Sequence, residues 1–395
     1  MIKTNICIIG AGIIGLSLAY ELIQNGHKDI LILDKEPQSG VHASGRNSGV
    51  LHAGIYYKSD SLKAKFCLKG NKLWRQFCFD HNIPILDTGK VIVAKNESEK
   101  ETLNQLYHLA SHNGARVRLI DSKELHKIEP LAKTTDIALM SYDTAIINSK
   151  LIMSIIEQKL NDSKQVNILY NQKVAQVEPN IVVTQTTKIK YQLLINCAGS
   201  YSDKLAHQCG VDKKYRLIPF KGIYKKLIPK YNNLIHSNIY PVPDLRNPFL
   251  GIHFTKSMSK EIYVGPTAIP AFGAEHYGFF KGIDQDSLRI FMSDALLFFK
   301  NNKFRSVALS EPKNYIPYYF YKEAKKLVKS LHYSDIVASS KVGIRPQLVN
   351  WDTKELVMDF LIEKKDNTIH ILNAISPAFT SAPAFVKEII SKYIN

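Results

Sequence analysis

Cysteine is scarce in this chain of 395 residues, and so are acids and long apolar runs. The five cysteines, Cys7, Cys67, Cys78, Cys197 and Cys209, are odd in number, scattered and without a Cys-x-x-Cys pair, which excludes a disulfide framework and suggests reduced thiols in the cytoplasm. The histidines form no HExxH and no Cys/His ligand spacing, so no metal site is expected. No Ser/His/Asp arrangement can be picked out. Apart from one glycine-bearing segment near the start, no stretch of about 20 uncharged apolar residues occurs, so a transmembrane helix is not expected. Internal repeats and low-complexity linkers are also missing.

Asp and Glu total 35 against 52 Lys and Arg, a net charge of +17. Such a surplus suits nucleic acid, an anionic membrane surface or a small polyanionic substrate. No nucleic-acid motif accompanies it, and the lysines are spread along the chain. The densest groups, Lys213-Lys214, Lys225-Lys226 and Lys322 through Lys329, are broken by apolar residues and Glu323. No nucleic-acid partner is therefore expected, while a dicarboxylate substrate and peripheral contact with the inner face of a membrane stay open. Richness in lysine, asparagine and isoleucine is also what coding bias produces.

What is present begins with Ile6-Cys7-Ile8-Ile9, an apolar run of strand length, followed at once by Gly10-Ala11-Gly12-Ile13-Ile14-Gly15. This is a dinucleotide fingerprint in its required setting. Gly10 permits the tight turn, Gly12 lets the backbone approach a pyrophosphate, and Gly15 lets the next helix pack on the strand. The helix reads Leu16 to Asn25 and stops at Gly26; Ile30 to Leu33 is a second buried strand, ending in Asp34. An acid there is placed to accept from a ribose hydroxyl. Lys3 before an apolar stretch imitates a secretion signal, but no small-residue cleavage site follows.

Asn47 to Tyr57, Asn-Ser-Gly-Val-Leu-His-Ala-Gly-Ile-Tyr-Tyr, resembles the signature of the L-2-hydroxyglutarate oxidases and dehydrogenases, within the D-amino-acid-oxidase-like FAD enzymes. The resemblance continues in Ser61 to Lys65, Asn196 to Gly199, Ile239 to Asp244, Pro248 to Thr255, Val264 to Pro266, Val342 to Arg345, Asp359 to Leu361 and Asn373 to Ala378. It implies FAD as cofactor, held by Gly10, Gly12, Ile13, Ile14, Gly15, Asp34, Lys35, Ser44, Arg46, Asn47, Ser48, Gly49, Val174, Ala198, Gly199, Gly343, Pro377 and Ala378. It implies an α/β (α+β) fold in which a Rossmann-like FAD-binding domain is interleaved with an antiparallel-sheet substrate domain.

The length suits two domains. Helical spacing over Leu62 to Asp80, a strand at Lys90 to Ala94 and a helix at Glu97 to Asn113 interrupt the dinucleotide fold. A helix at Leu151 to Leu160 precedes short strands at Val166 to Tyr170, Lys173 to Val177, Ile181 to Gln185 and Leu193 to Cys197, then a helix at Ser202 to Cys209. Beyond Tyr215, aromatic strands at Ile239-Tyr240, Phe249 to Phe254 and Ile262 to Val264 predict a substrate sheet, with helices at Asp286 to Lys300 and Ile316 to Leu331. The chain returns through a strand at Ile369 to Asn373 and a helix at Pro377 to Tyr393. The expected domains are 1–80, 140–212 and 337–395 for the cofactor, and 81–139 and 213–336 for the substrate.

Flavin oxidation of a 2-hydroxy acid needs hydride delivery from C2, a base for the hydroxyl proton and cations for the carboxylates. His52, His253, Arg345 and Lys221 are the candidates, each in a resembling block. His253 is taken as the base ahead of His52, with Arg345 as a bidentate clamp in a Gly-x-Arg turn. Tyr57 is a further candidate donor. Lys221 stands where the family usually has Arg, Ile223 where it has an acid, and Arg46 where many members have His. The leading expectation is FAD-dependent oxidation of L-2-hydroxyglutarate to 2-oxoglutarate, and these departures keep another 2-hydroxy acid open as an alternative. An amine oxidase of the glycine or sarcosine kind, and a flavoprotein that only binds partners, are the alternatives. The acceptor expected for the electrons is oxygen or a membrane quinone.

Overall fold

A computed structural model describes residues 1–244, 249–278, 282 and 286–394. The fingerprint strand, Ile2–Ile9, is the axis of the first sheet. Ile30–Leu33 pairs parallel along one side and Lys188–Asn196 along the other. Val166–Leu169 and Thr368–Ile371 extend the parallel set outward, and antiparallel hairpins add Val174–Glu178, Ile181–Thr184 and Ile362–Lys365. Parallel strands are covered on both faces, which is why Ile30 to Leu33 carries no polar residue. Strand alternation sends Ile6, Ile8, Ile30 and Ile32 into one core and Cys7, Ile9, Leu31 and Leu33 into another.

The helices among the described residues are α1 (Ile13–Gln24), α2 (Leu62–Asp80), α3 (Glu99–His112), α4 (Ser122–Ile128), α5 (Ser149–Asp162), α6 (Ser202–Gln208), α7 (Ser287–Lys300), α8 (Asn302–Ser310), α9 (Pro317–Lys325) and α10 (Ala378–Tyr393). The first core is filled by α1, α2, α5 and α10. A Cβ at Gly70 of α2 would lie 2.1 Å from the Thr380 carbonyl oxygen, so this glycine lets α2 and α10 touch backbone to backbone. The second core lies under the hairpin Val174–Thr184, with Leu205 of α6.

A second, mostly antiparallel sheet is built on two long strands, Tyr215–Leu227 and Ile336–Asn350, and runs on through Ile262–Gly265, His253–Lys256, Asn238–Pro241, Lys90–Val93, Ile137–Ser141 and Val117–Asp121. Val50–Leu51, Ile85–Leu86 and Ala145–Ile147 form a small third sheet, whose Leu51, Ala145 and Ile147 pack into the first core.

Several local expectations change. Phe249 to Phe254 is not one strand: pairing begins only at His253, and Pro248 lies outside the described residues. The helix expected over Ile316 to Leu331 is α9 alone, because Lys326 to Ser330 turn to meet the segment around Leu131. Residues 337–350, expected with the cofactor domain, run in the second sheet beside Tyr215–Leu227, so Arg345 sits within a strand and not in a turn. That pairing joins residues more than a hundred positions apart, which local pattern does not carry.

Candidate active site

The sheet extends to both sides of Ile2–Ile9, through Ile30–Leu33 on one and Lys188–Asn196 on the other, so a crevice opens at its C-terminal end, where sheets of this kind take their ligands. Gly10 turns there with φ +110°, and a Cβ would lie 2.4 Å from the Cys197 carbonyl oxygen; at Gly15 it would lie 2.0 Å from the Gly10 carbonyl oxygen. Gly12 differs: its nearest obstacle is the Ser44 hydroxyl at 3.1 Å, and the remaining space is the crevice itself. Ser44 accepts from the Ile13 N–H at 2.9 Å, while Ile14 and Gly15, in the first helical turn, have no intrahelical acceptor for theirs. The Asp34 carboxylate accepts from the N–H groups of Ala11 and Glu36 at 2.7 and 2.9 Å, locking the turn to the end of the second strand.

The loop after Ser44 is shaped by its own polar residues. Asn47 donates to the Ser44 carbonyl and accepts from the Gly49 N–H, so Ser48 and Gly49 are held along the crevice wall. Arg46 donates to the Val41 carbonyl and lies 4.1 Å over the Tyr277 ring. Lys35 bonds Glu36 and Glu275, and His42 also reaches Glu36. Glu36, His42 and Glu275 are close enough to share an ion, but the Lys35 ammonium already bridges the two carboxylates. Val174, Ala198, Gly199, Gly343, Pro377 and Ala378 complete the wall, with the positive end of α10 facing inward.

These residues line one cavity of about 750 Å³ that continues from the fingerprint past His52 to Lys221, His253 and Arg345. Of the residues expected at the site, Gly15 and Tyr57 do not line it. Gly15 packs beneath the turn, and Tyr57 is half-buried, with the Arg345 guanidinium near enough to influence its phenol.

At the far end two groups form. In the first, His253 stacks on Tyr240 with ring centroids 3.9 Å apart, and its Nδ1 lies 2.8 Å from the Gly251 carbonyl oxygen. Its burial, despite that bond, pushes the pKa down to about 4; burial, Lys90 and His253 push His52 to about 3. The His52 backbone is fixed by Thr380 and Asn71, and its imidazole faces the cavity. In the second, Arg345 lies over Phe249 at 5.2 Å with its pKa lowered by burial to about 10.

Sheet register separates the two expected clamps. Phe220 is opposite Arg345 and Ile344 is opposite Lys221, so alternation turns Lys221 and Arg345 to opposite faces. The Lys221 ammonium bonds the Gly278 carbonyl. Two other lysines are enclosed here instead, neither singled out from sequence. Lys90 is 1 % exposed, 4.6 Å from the Tyr56 ring centroid and 4.8 Å from that of Tyr240. Lys63 lies near Arg345 and Asp359. Burial brings each down to about 7. Lys63 stood inside a resembling block; Lys90 carried only a strand signal.

The profile of the family described as FAD dependent oxidoreductase matches residues 5–391. The chain belongs to that family. FAD is its cofactor, and the crevice suits it: Gly12 would obstruct the cavity with any side chain, free N–H groups of α1 face the expected phosphates, and one cavity joins them to His52 and His253. The chain is 35 % identical over 393 residues to the L-2-hydroxyglutarate dehydrogenase of Escherichia coli K12, covering 98 % of this chain and 92 % of that protein. It is 34 % identical over 406 residues to the human mitochondrial protein of the same name, covering 96 % and 86 %. Among solved structures, L-alpha-glycerophosphate oxidase from Mycoplasma pneumoniae with FAD bound superimposes with a TM-score of 0.76 at 24 % identity, covering 99 % and 94 %. Glycine oxidase from Geobacillus kaustophilus gives 0.71 at 14 %, covering 99 % and 94 %. Both likenesses speak for the fold.

Proposed function

We propose that this enzyme oxidises L-2-hydroxyglutarate to 2-oxoglutarate, with His253 as base and Arg345 as carboxylate clamp. The observation that carries the proposal is one cavity joining a dinucleotide crevice to two imidazoles and a guanidinium, in a chain whose curated relatives bear that enzyme's name over nearly all of its length. When bound, FAD supplies the acceptor for the hydride leaving C2. The chain's residues supply the rest. The Gly251 carbonyl accepts from Nδ1–H of His253, leaving Nε2 as the unprotonated nitrogen that takes the hydroxyl proton. A bound dicarboxylate raises the basicity of both histidines, since nearby negative charge favours imidazolium. Arg345 offers a planar fork to one carboxylate. Lys221, tied to Gly278, closes the wall and leaves the substrate to Arg345.

For the electrons, the proposed acceptor is a membrane quinone; the relatives are named dehydrogenases, which favours it over oxygen. Among the described residues no helix is long and apolar enough to cross a membrane.

The test is product analysis after anaerobic turnover of one flavin equivalent. The account expects 2-oxoglutarate from L-2-hydroxyglutarate, and a roughly 10²- to 10⁴-fold slower reduction in His253→Gln. Ammonia from an amino-acid substrate, with no reaction of the hydroxy acid, would overturn the substrate; His253→Gln reducing at the normal rate would overturn the base.

A further inference from the structure

The apolar side chains of α7 are distributed inside out. Ile290 and Leu297 face the protein, yet so does Asp294, 9 % exposed and with neither carboxylate oxygen hydrogen-bonded. Leu288, Phe291, Met292, Leu296 and Phe299 are exposed instead, by 37 to 73 %. They stand at steps of three, four, eight and eleven from Leu288, which at 100° per residue is one stripe about 140° wide. Phe272, 40 % exposed, joins it with its ring 6.4 Å from that of Phe291. On α8, which packs against α7, Leu309 is 67 % exposed. Contiguous apolar surface of this kind marks an interaction site.

Charge identifies the partner. Within α7 and α8 the single acid is the buried Asp294, whereas Lys300, Lys303 and Arg305 are basic and Arg289 is paired with Asp286 just before α7. A second copy of a chain carrying +17 would be repelled; an anionic lipid surface would be attracted. With 14 residues α7 is about 21 Å long, too short to span a bilayer and suited to lie in its interface.

We propose that α7 and α8 form a membrane-docking face, which inserts the Leu288, Phe291, Met292 and Phe299 side chains into the interface of an anionic bilayer. The consequence for the site is positional. The inner sides of these helices, through Leu297, Phe304 and Val307, pack with Phe220 and Phe249, which line the cavity. Docking therefore sets the cavity against the membrane, beside an acceptor dissolved there. The docking face stands independently of the substrate assigned above.

Sedimentation of the flavin-loaded protein with vesicles tests it, using phosphatidylcholine alone and phosphatidylcholine mixed with phosphatidylglycerol. The protein should bind the mixed vesicles, less so as salt is raised, and bind phosphatidylcholine weakly. Phe291→Ser with Phe299→Ser should lower partitioning at least about tenfold at unchanged flavin content. Lys300→Glu with Lys303→Glu should lower binding to the mixed vesicles only. Failure of the wild type to bind mixed vesicles, equal binding to both kinds at every salt concentration, or undiminished binding by the serine variant would overturn the proposal. So would a wild-type dimer, seen by light scattering, that the serine variant makes monomeric without vesicle binding; the face would then join two copies.

Discussion

Replacing Lys90 by Met should move the acid limit of flavin reduction upward by about one pH unit. The Lys90 ammonium is 4.8 Å from the Tyr240 ring centroid, and the His253 ring is 3.9 Å beyond it at most, so the two groups lie within about 9 Å of each other. At that limit, and an effective dielectric constant of about 20, a full charge costs an imidazolium about 2 kcal/mol, a little over one pKa unit. Lys90, brought down to about 7, carries its full charge at the lower pH where the histidines titrate. Removing it lets His253 and His52 take up protons at higher pH, and protonated imidazole accepts no hydroxyl proton. Methionine keeps the length and apolar character of the stem without burying a donor. The assay is the second-order constant for anaerobic flavin reduction by L-2-hydroxyglutarate against pH, which reports the free enzyme's groups. An acid limb that stays in place, in a variant that holds flavin and melts as the wild type does, would refute the electrostatic link.

Other substitutions probe separate parts. Arg345→Lys should retain flavin but lose about 2–4 kcal/mol of transition-state binding, roughly 30- to 1000-fold in kcat/KM for the dicarboxylate, measured under steady state. Gly10→Ala should purify without flavin, judged by its visible absorption, because the added Cβ meets the Cys197 carbonyl at 2.4 Å and φ is +110°. Asp294 is raised by burial to about 7, so the folded state binds its proton more tightly than the unfolded chain does. Its contribution is therefore present below about pH 4 and lost as pH rises through 7, a cost of about 4 kcal/mol at most. Asp294→Asn should match the wild type in urea unfolding near pH 4 and exceed it near pH 8; equal stability at both would show the acid to be solvated.

Much of the cofactor half was legible because its signals are local. Gly10, Gly12 and Gly15 stand between a strand and a helix, and Ile30 to Leu33 is a strand of exactly buried composition ending at Asp34. The bounds of α2 followed from apolar spacing alone; the structure adds the Ser61 hydroxyl as its cap, accepting from the Ala64 N–H. The substrate end was read less completely. Lys90 looks like a surface residue at a strand end until Lys90–Val93 pairs with Asn238–Pro241, far along the chain, and Tyr56 and Tyr240 close over it. Lys221 and Arg345 each fall in resembling blocks, but which face each takes is set by the register of two strands, and only that pairing separates them. Asp294 reads as a polar residue on an amphipathic helix; that the helix buries it and exposes Phe291 depends on where α7 packs.

The central claim is tested most directly by mixing the flavin-loaded protein with L-2-hydroxyglutarate without oxygen and following the visible flavin band. The account predicts bleaching on mixing, with one 2-oxoglutarate formed per flavin reduced. A band that persists while the flavin stays bound, or that bleaches with an amino acid and not with the hydroxy acid, would contradict it.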